Sequence, residues 1–507
     1  MFKHFLSVGG WTLVSRVTGF VRDVMLAAVM GIGPVADAFV VALRLPNHFR
    51  AIFGEGAFNS AFVPTYARTR EEDAAKARLF ADRVFTLMLI AQVALLVGAF
   101  VGMPWIVRLL APGFSEDPSK FALAVTLTRI TFPYLLFITL VTLLSGLLNA
   151  HERFAAAAAA PVLLNASIIA ALALAFVFPT AGHAAALGVA IAGVLEFLLV
   201  WGEARRAGLA PGFARPRFDR PMRGFFKTLG PAVIGSAGVQ IAMFADTIIA
   251  SFFPTGAVSS LYYADRLYQL PVGVIGIAAG TVLLPEMSRR LAGGDAAGAH
   301  RAQNRAFGLT LALAAPFAVA FLAIPDLITA ALFKRGAFDA AAAQRAGAVL
   351  SAYAVGLPAV VLIRSAVASF HARSDTTTPV IAALLAVAVN VGLKLVLMNR
   401  LEVVGLALAT AIGAWVNLVL LVALAYRRDW TAPSAVLGKV LAAVLGASLL
   451  LALYTMVAQA PIARATAQVS SWREEIALGL LGIGGALAYG LALLLGLKLF
   501  GVRLRGT

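Results

Sequence analysis

The stretch GGWTLVSRVTGFVRDVMLAAVMG, from Gly9 to Gly31, sets Arg16, Arg22 and Asp23 near the middle of a segment long and apolar enough to cross a bilayer. The next such segment, ADAFVVALRLPNHFRAIFGEGAF, holds Asp37, Arg44, Asn47, His48, Arg50 and Glu55. Further along, YYADRLYQLP brings Asp265 and Arg266, and Arg364 and Lys394 sit inside other apolar runs. A charge at mid-bilayer costs about 2.5–3.5 kcal/mol even on the gentler insertion scale, so these groups must face a cavity or partner helices. Basic groups outnumber acidic ones. Such a surface suits an anionic cargo, and the planar fork of arginine suits phosphate oxygens in particular.

A structural reading competes with cargo binding. Asp37 and Arg44 lie seven residues apart on one helical face and could simply pair. Arg44 and Arg364, near span ends, read as snorkelling side chains, and His48 and His371 as interfacial ones. On a helical wheel of the first segment, Thr12, Ser15, Arg16, Arg22 and Asp23 fill one wedge, while Leu13, Val14, Val17, Phe20, Val21, Val24 and Met25 fill the opposite side. Pro46 is expected to kink or break the second segment ahead of Arg50. Gly273, Gly276 and Gly280 have the spacing of a close helix contact.

The elements that position these groups follow from composition. Of 507 residues, 61% are hydrophobic and 13% charged, and the mean hydropathy is +0.90. This is the composition of an all-α polytopic membrane protein, since repeated apolar runs of helical length exclude barrel strands. The chain has no cysteine, which removes disulfides, thiolate metal sites and cysteine nucleophiles. Its first apolar segment is too long for a signal-peptide core and reads as a retained helix. The net charge of +17 fits positive-inside loops and anionic lipid rather than nucleic acid.

Fourteen spans are expected, near 4–30, 35–60, 80–107, 121–149, 157–179, 184–204, 225–252, 259–287, 306–332, 345–371, 378–398, 402–426, 436–458 and 474–500. One set of loops contains ARTREEDAAKAR, EARRAGLAPGFARPRFDRPMRGFFK, SRRLAGGDAAGAHRAQNR and YRRDW; the other contains GIGPVA, FPTAGH and FPTGAVSS, which have no lysine or arginine. This asymmetry places both termini and the long central loop in the cytoplasm. The loop LFKRGAF runs against it, with Lys334 and Arg335 on the outer side.

Internal repetition is legible too. FKHFLSVGGWTLVSRVTGFVRD from Phe2 parallels FKTLGPAVIGSAGVQIAMFADT from Phe226, and Pro46, Pro64, Pro104, Pro133 and Pro161 recur in order as Pro271, Pro285, Pro325, Pro358 and Pro379. The chain therefore divides into an N-lobe at 1–208, a basic cytoplasmic linker at 209–222, a C-lobe at 223–428 and a terminal hairpin at 429–507. Two parallel-related six-helix lobes around a central cationic cavity form a transporter architecture. No phosphate-loop, zinc-hydrolase or serine-hydrolase motif is present, so no ATP-driven pump and no enzyme is expected.

Several stretches carry a resemblance to a known family: SRVTGFVRD, ADAFVVALRLPNHFRAIFGEGAFNSAFVP, APGF, TFPYLL with LLNAHERF, and YYADRLYQLPVGVIGIAAGTVLLP. Together they resemble the MurJ (MviN) lipid II flippases of the multidrug/oligosaccharidyl-lipid/polysaccharide exporter superfamily. The resemblance implies a role in peptidoglycan biosynthesis and cell-wall biogenesis, hence in cell shape, at the bacterial inner membrane. Lipid II would move from the cytoplasmic to the periplasmic leaflet by alternating access. Beyond lipid II and membrane lipids no partner is implied, and no cofactor; energy would come from the membrane potential or a monovalent cation. The family's cavity arginines fall on Arg16, Arg22, Arg50 and Arg266, with Asp23 and Asp37 at neighbouring motif positions and the last two spans lining a lipid-tail groove. Another polyprenyl-linked oligosaccharide or a drug is the alternative cargo.

Some members resemble sodium-coupled carriers, with a carboxylate in the seventh helix facing Asn and Asp in the eleventh. Here Asp246 and Asn390 match and Thr410 fits, but Lys394 holds the position of the second acid. The Lys394 ammonium would then take the place of the sodium ion beside Asp246. The alternative is that Lys394 snorkels to the outer interface.

Overall fold

The computed structural model describes residues 2–52, 58–469 and 472–502; Glu55 lies outside them. All regular structure among these residues is helical. The chain forms two compact units, Met1–Ser259 and Ser260–Thr507.

The first unit holds α1 (Phe2–Met30), α2 (Pro34–Ile52), α3 (Phe58–Glu72), α4 (Ala74–Leu110), α5 (Pro118–Thr131), α6 (Tyr134–Asn149), α7 (Ala155–Ala173), α8 (Ala181–Arg206) and α9 (Arg220–Ala250). Thus α9, which opens the second half of the sequence repeat, packs with the first unit. Its core is a cluster of stacked and edge-on aromatic rings, Phe58, Phe62, Phe80 and Phe225, joined by Leu140, Leu143 and Leu147. The central basic segment is tied down as well: Arg83 pairs with Asp219, the residue that caps α9 by accepting from the Met222 amide.

Pro46 does not break α2, which runs through it. Proline removes the amide that would have bonded the Ala42 carbonyl. The Thr131 hydroxyl of α5 donates to that carbonyl instead, at 2.9 Å, so the orphaned acceptor is satisfied where no water reaches.

The second unit holds α10 (Ala257–Pro271, of which all but the first three residues belong here), α11 (Ile277–Ala292), α12 (Ala296–Ala323), α13 (Pro325–Phe333), α14 (Ala340–His371), α15 (Thr377–Arg427), α16 (Ala435–Ala465) and α17 (Arg473–Leu499). A π-helical turn, Val272–Gly276, joins α10 to α11. The 51 residues of α15 are two helices merged across a kink at Glu402, whose φ is 47°. They therefore carry two expected spans. The terminal pair α16 and α17 packs against α12, where the Tyr489 hydroxyl donates to the Ala312 carbonyl at 2.7 Å.

Among the described residues, nine helices are long and apolar enough to cross a membrane. They hold ten of the fourteen expected spans, because α15 contains two. The other four expected spans coincide with α1, with α2 and α3, with α9, and with α10 and α11. Of these, α1 and α2 carry charges picked out in the sequence, which dilute their apolarity, while α3, α10 and α11 are only 15, 15 and 16 residues long.

Lys334 and Arg335, which ran against the charge asymmetry, are neutralised by Glu474 and Glu475 at the start of α17, at 2.7 and 2.5 Å.

Candidate functional site

On α1 the apolar side chains Leu13, Val14, Val17 and Val21 are exposed, as lipid-facing groups should be. Arg22 instead turns onto α7. Its Nε and Nη2 donate to Asp23 Oδ1 at 3.0 and 2.7 Å, and its Nη1 donates to Asn165 Oδ1 at 2.9 Å. Asn165 in turn donates through Nδ2 to the Ser15 carbonyl at 3.0 Å and to the Thr18 hydroxyl at 3.2 Å. Gly19 makes the approach of the two helices feasible, since even a Cβ there would sit only 3.4 Å from Asn165 Nδ2. One side chain of α7 thus fixes both a guanidinium and the helix that bears it. Arg16, the residue after Ser15, is exposed and makes no hydrogen bond or ion pair among the described residues.

Arg50 lies in the last turn of α2 and lines a cavity of about 230 Å³ together with Asn59, Tyr134, Thr142, Ser145 and Glu196. Arg22 and Arg50 are both within electrostatic reach of the Tyr134 hydroxyl. Two of the expected cargo arginines are therefore gathered at one region of the first unit, on α1 and α2, backed by α6, α7 and α8. His48, one turn before Ile52, spends its Nδ1 hydrogen on the Arg44 carbonyl at 2.8 Å and sets its ring against Phe244.

Asp37 has a different task from the one its motif position suggested. It is fully buried, and its oxygens accept from Lys120 Nζ at 2.9 Å, the Gly256 amide at 2.8 Å, the Ser259 amide at 2.8 Å and the Ser259 hydroxyl at 2.7 Å. Four donors leave no room for cargo, and the pairing with Arg44 does not form. Asp117 caps α5 and Pro118 starts it, which sets Lys120 in the first turn, with its ammonium 4.2 Å from the centre of the Phe114 ring. Close by, Gly113 of APGF must be glycine, because a Cβ would collide with the Ser251 carbonyl.

In the second unit Arg266 of α10 is half-buried, its guanidinium 4.7 Å from the centre of the Tyr262 ring, a cation–π arrangement that helps hold the charge in place. The π-helical turn follows directly, a feature common at functional sites. Gly276 and Gly280 of that segment receive the Arg364 side chain from α14, with a Gly276 Cβ reaching 3.0 Å from Arg364 Cδ. The small residues make way for an arginine rather than for a bare helix contact. Arg364 itself is exposed.

Asp246 is half-buried on α9 of the first unit, whereas Asn390, Lys394 and Thr410 belong to α15 of the second. Lys394 is 0% exposed, so it does not snorkel to an interface. Asn390 packs against Gly413 from the other half of the kinked helix, and the Thr410 hydroxyl donates to the Leu406 carbonyl at 3.1 Å.

Sequence reasoning missed Asn165, Lys120 and Glu196. Each is a lone polar residue in or beside an apolar span, the same signal that exposed Arg22, and each is buried.

Comparison with known proteins identifies the family. The chain matches the family model described as lipid II flippase MurJ over residues 26–472. It is 42% identical over 498 residues to the probable lipid II flippase MurJ of Rhizobium meliloti (strain 1021), covering 97% of this chain and 93% of that one. It is 36% identical over 462 residues to the lipid II flippase MurJ of Burkholderia cenocepacia, covering 89% of each. A solved structure of lipid II flippase MurJ in an inward closed conformation superposes with a TM-score of 0.78 over 97% of this chain and 98% of the other, at 24% identity. An inward-facing multidrug resistance MATE transporter of the MOP superfamily shares the fold at a TM-score of 0.67 and 15% identity, over 82% of this chain and 94% of that one. The chain belongs to the MurJ lipid II flippase family.

Proposed function

We propose that this chain flips lipid II, the undecaprenyl-pyrophosphate-linked disaccharide pentapeptide, from the cytoplasmic to the periplasmic leaflet of the bacterial inner membrane by alternating access. Its relatives supply the cargo name. The observation that supports it from this chain's own chemistry is Arg22, an arginine set deep in an apolar lobe and oriented by Asp23 and Asn165. A structure that needed only to cancel a charge would not add a neutral amide to aim it. Arg16, Arg22 and Arg50 of the first unit and Arg266 of the second engage the pyrophosphate oxygens, with Arg50 nearest the cytoplasmic entry. Exposed leucines along α16 and α17, such as Leu445, Leu449, Leu453, Leu487 and Leu491, give the polyprenyl tail an apolar path.

No covalent step is made on the cargo and no cofactor is needed; both termini lie in the cytoplasm, and the membrane potential drives the cycle. Lys394 takes the role of a coupling sodium ion, so turnover in proteoliposomes is independent of sodium. The decisive experiment depletes the protein in cells and measures which leaflet retains labelled lipid II. Retention in the inner leaflet, relieved by the wild-type chain and not by Arg22→Ala, is the expected result. Normal complementation by Arg22→Ala would overturn the reading.

A further inference from the structure

The cavity beside Arg50 holds a carboxyl that the transport reading leaves without a use. Glu196, on α8, is 1% exposed, and its Oε2 is buried without a hydrogen-bond partner. The Tyr134 hydroxyl at the start of α6 and Asn59 Oδ1 on α3 are likewise buried without a well-formed hydrogen bond, the hydroxyl lying within reach of Glu196, and all three residues line the same cavity. A bare carboxylate taken this far from water costs several kcal/mol unless a cation compensates it. Among the described residues, the one basic side chain lining the cavity is Arg50, which lies within electrostatic reach of Glu196.

The other elements packed on α8 offer nothing comparable. Along α7 the cavity meets Ala157, Ala160, Pro161 and Leu164. On α5 the Lys120 ammonium is committed to Asp37, and Arg129 does not line the cavity. On α1, Arg22 is held by Asp23 and Asn165 and does not line the cavity. The ionised form of Glu196 therefore depends on Arg50 and on the Tyr134 hydroxyl beside it.

We propose that Glu196 is a proton-binding site coupled to cargo: Arg50 and the Tyr134 hydroxyl favour its ionised form, and it takes up a proton from water when a pyrophosphate headgroup occupies Arg50. This rests on the reading of Arg50 as a cargo arginine. The step is a simple protonation of the carboxylate oxygen, with hydroxide or buffer base left in solution, and it reverses when the headgroup leaves. Binding of a polyanion thereby carries a compensating positive charge into the lobe, and the cycle acquires a proton dependence that needs no acid in the position held by Lys394.

Proton linkage reads this directly. The full-length protein in lipid nanodiscs is titrated with a short-chain polyprenyl pyrophosphate at pH 9, in two buffers of different ionisation enthalpy. The wild type takes up about one proton per ligand bound, and infrared difference spectra gain the carbonyl stretch of a protonated carboxyl. Glu196→Gln, which mimics the neutral form, binds the ligand with no proton uptake and no new carbonyl band. Binding by the wild type without proton uptake overturns the proposal while leaving the transport reading intact, and so does undiminished uptake by Glu196→Gln. Failure of the wild type to bind any pyrophosphate lipid overturns both. Should Glu196→Gln fail to assemble, the wild-type infrared band still decides: its absence on binding refutes the site.

Discussion

Replacing Asn165 by leucine, a side chain of similar shape, tests whether Arg22 is aimed or merely neutralised. The substitution deletes the acceptor of Arg22 Nη1 at 2.9 Å and the two donations that hold α1 at the Ser15 carbonyl and Thr18 hydroxyl. Interhelical hydrogen bonds between neutral groups in membranes average about 0.6 kcal/mol, and one to a charged group is worth about 1.5–3 kcal/mol. Altogether about 3 kcal/mol of interaction disappears. The neutral share falls on helix packing and lowers the melting temperature of the purified protein slightly. The charged share falls on the placement of the guanidinium, which retains Asp23 but loses its third anchor. At about 1.4 kcal/mol per tenfold, the flipping rate drops on the order of 10–100-fold, short of the complete loss expected for Arg22→Ala. Proteoliposomes loaded with fluorescent lipid II, read by leaflet protection, give the rate, and detergent melting gives the stability. A variant that flips at the wild-type rate would show that Asp23 alone suffices and that Asn165 only staples two helices.

Further perturbations follow from the same geometry. Lys120→Met leaves Asp37 buried without its cation and should destabilise by about 3–5 kcal/mol, seen as loss of folded protein in size-exclusion; the double variant Lys120→Met with Asp37→Asn should recover most of the yield, and equal loss in both would refute the pairing. Gly113→Ala forces a side chain into the Ser251 backbone and should cost about 1–3 kcal/mol by overpacking, whereas Gly102→Ala, which meets open space, should melt like the wild type. Asp375, in the loop before α15, is held down to about 2 by hydrogen bonds from the Thr378 side chain and amide and then from Arg428. A carboxyl depressed in this way stabilises fully above its ordinary value near 3.8 and loses that contribution only as pH falls through about 2. Asp375→Asn should therefore raise amide exchange at Thr378 equally at pH 5 and pH 7, and a difference between the two would contradict the assignment. Glu474→Gln with Glu475→Gln breaks two half-exposed pairs, each worth about 0–1 kcal/mol, so melting should shift little and the shift should vanish in high salt.

What the sequence made legible divides along a physical line. Arg16, Arg22, Arg50 and Arg266 stood out because a formal charge in an apolar span is costly wherever it lies, and that cost can be read without knowing any neighbour. The helical class and the positions of the apolar spans followed from hydropathy on the same ground. Partners were another matter. Asp37 and Arg44 share a helical face, yet Asp37 closes on Lys120 and on the backbone at Gly256 and Ser259, positions 83 to 222 residues away in the chain. Spacing along one helix reports which residues share a face and says nothing of what the facing helix brings. Pro46 shows the same limit: its missing amide predicts a break, and only Thr131 arriving from α5 lets α2 continue. Asn165 and Glu196 cost less to overlook, since a single amide or a protonable carboxyl in an apolar span can be hidden by one hydrogen bond or one proton. Yet those inexpensive polar groups decide how the expensive ones work. An arginine alone binds any anion; an arginine anchored on three sides, or balanced by a carboxyl that can take up a proton, binds one in a defined place and a defined charge state. The specificity of the site therefore resides in residues whose burial cost is small, and they become visible only when the helices are brought together.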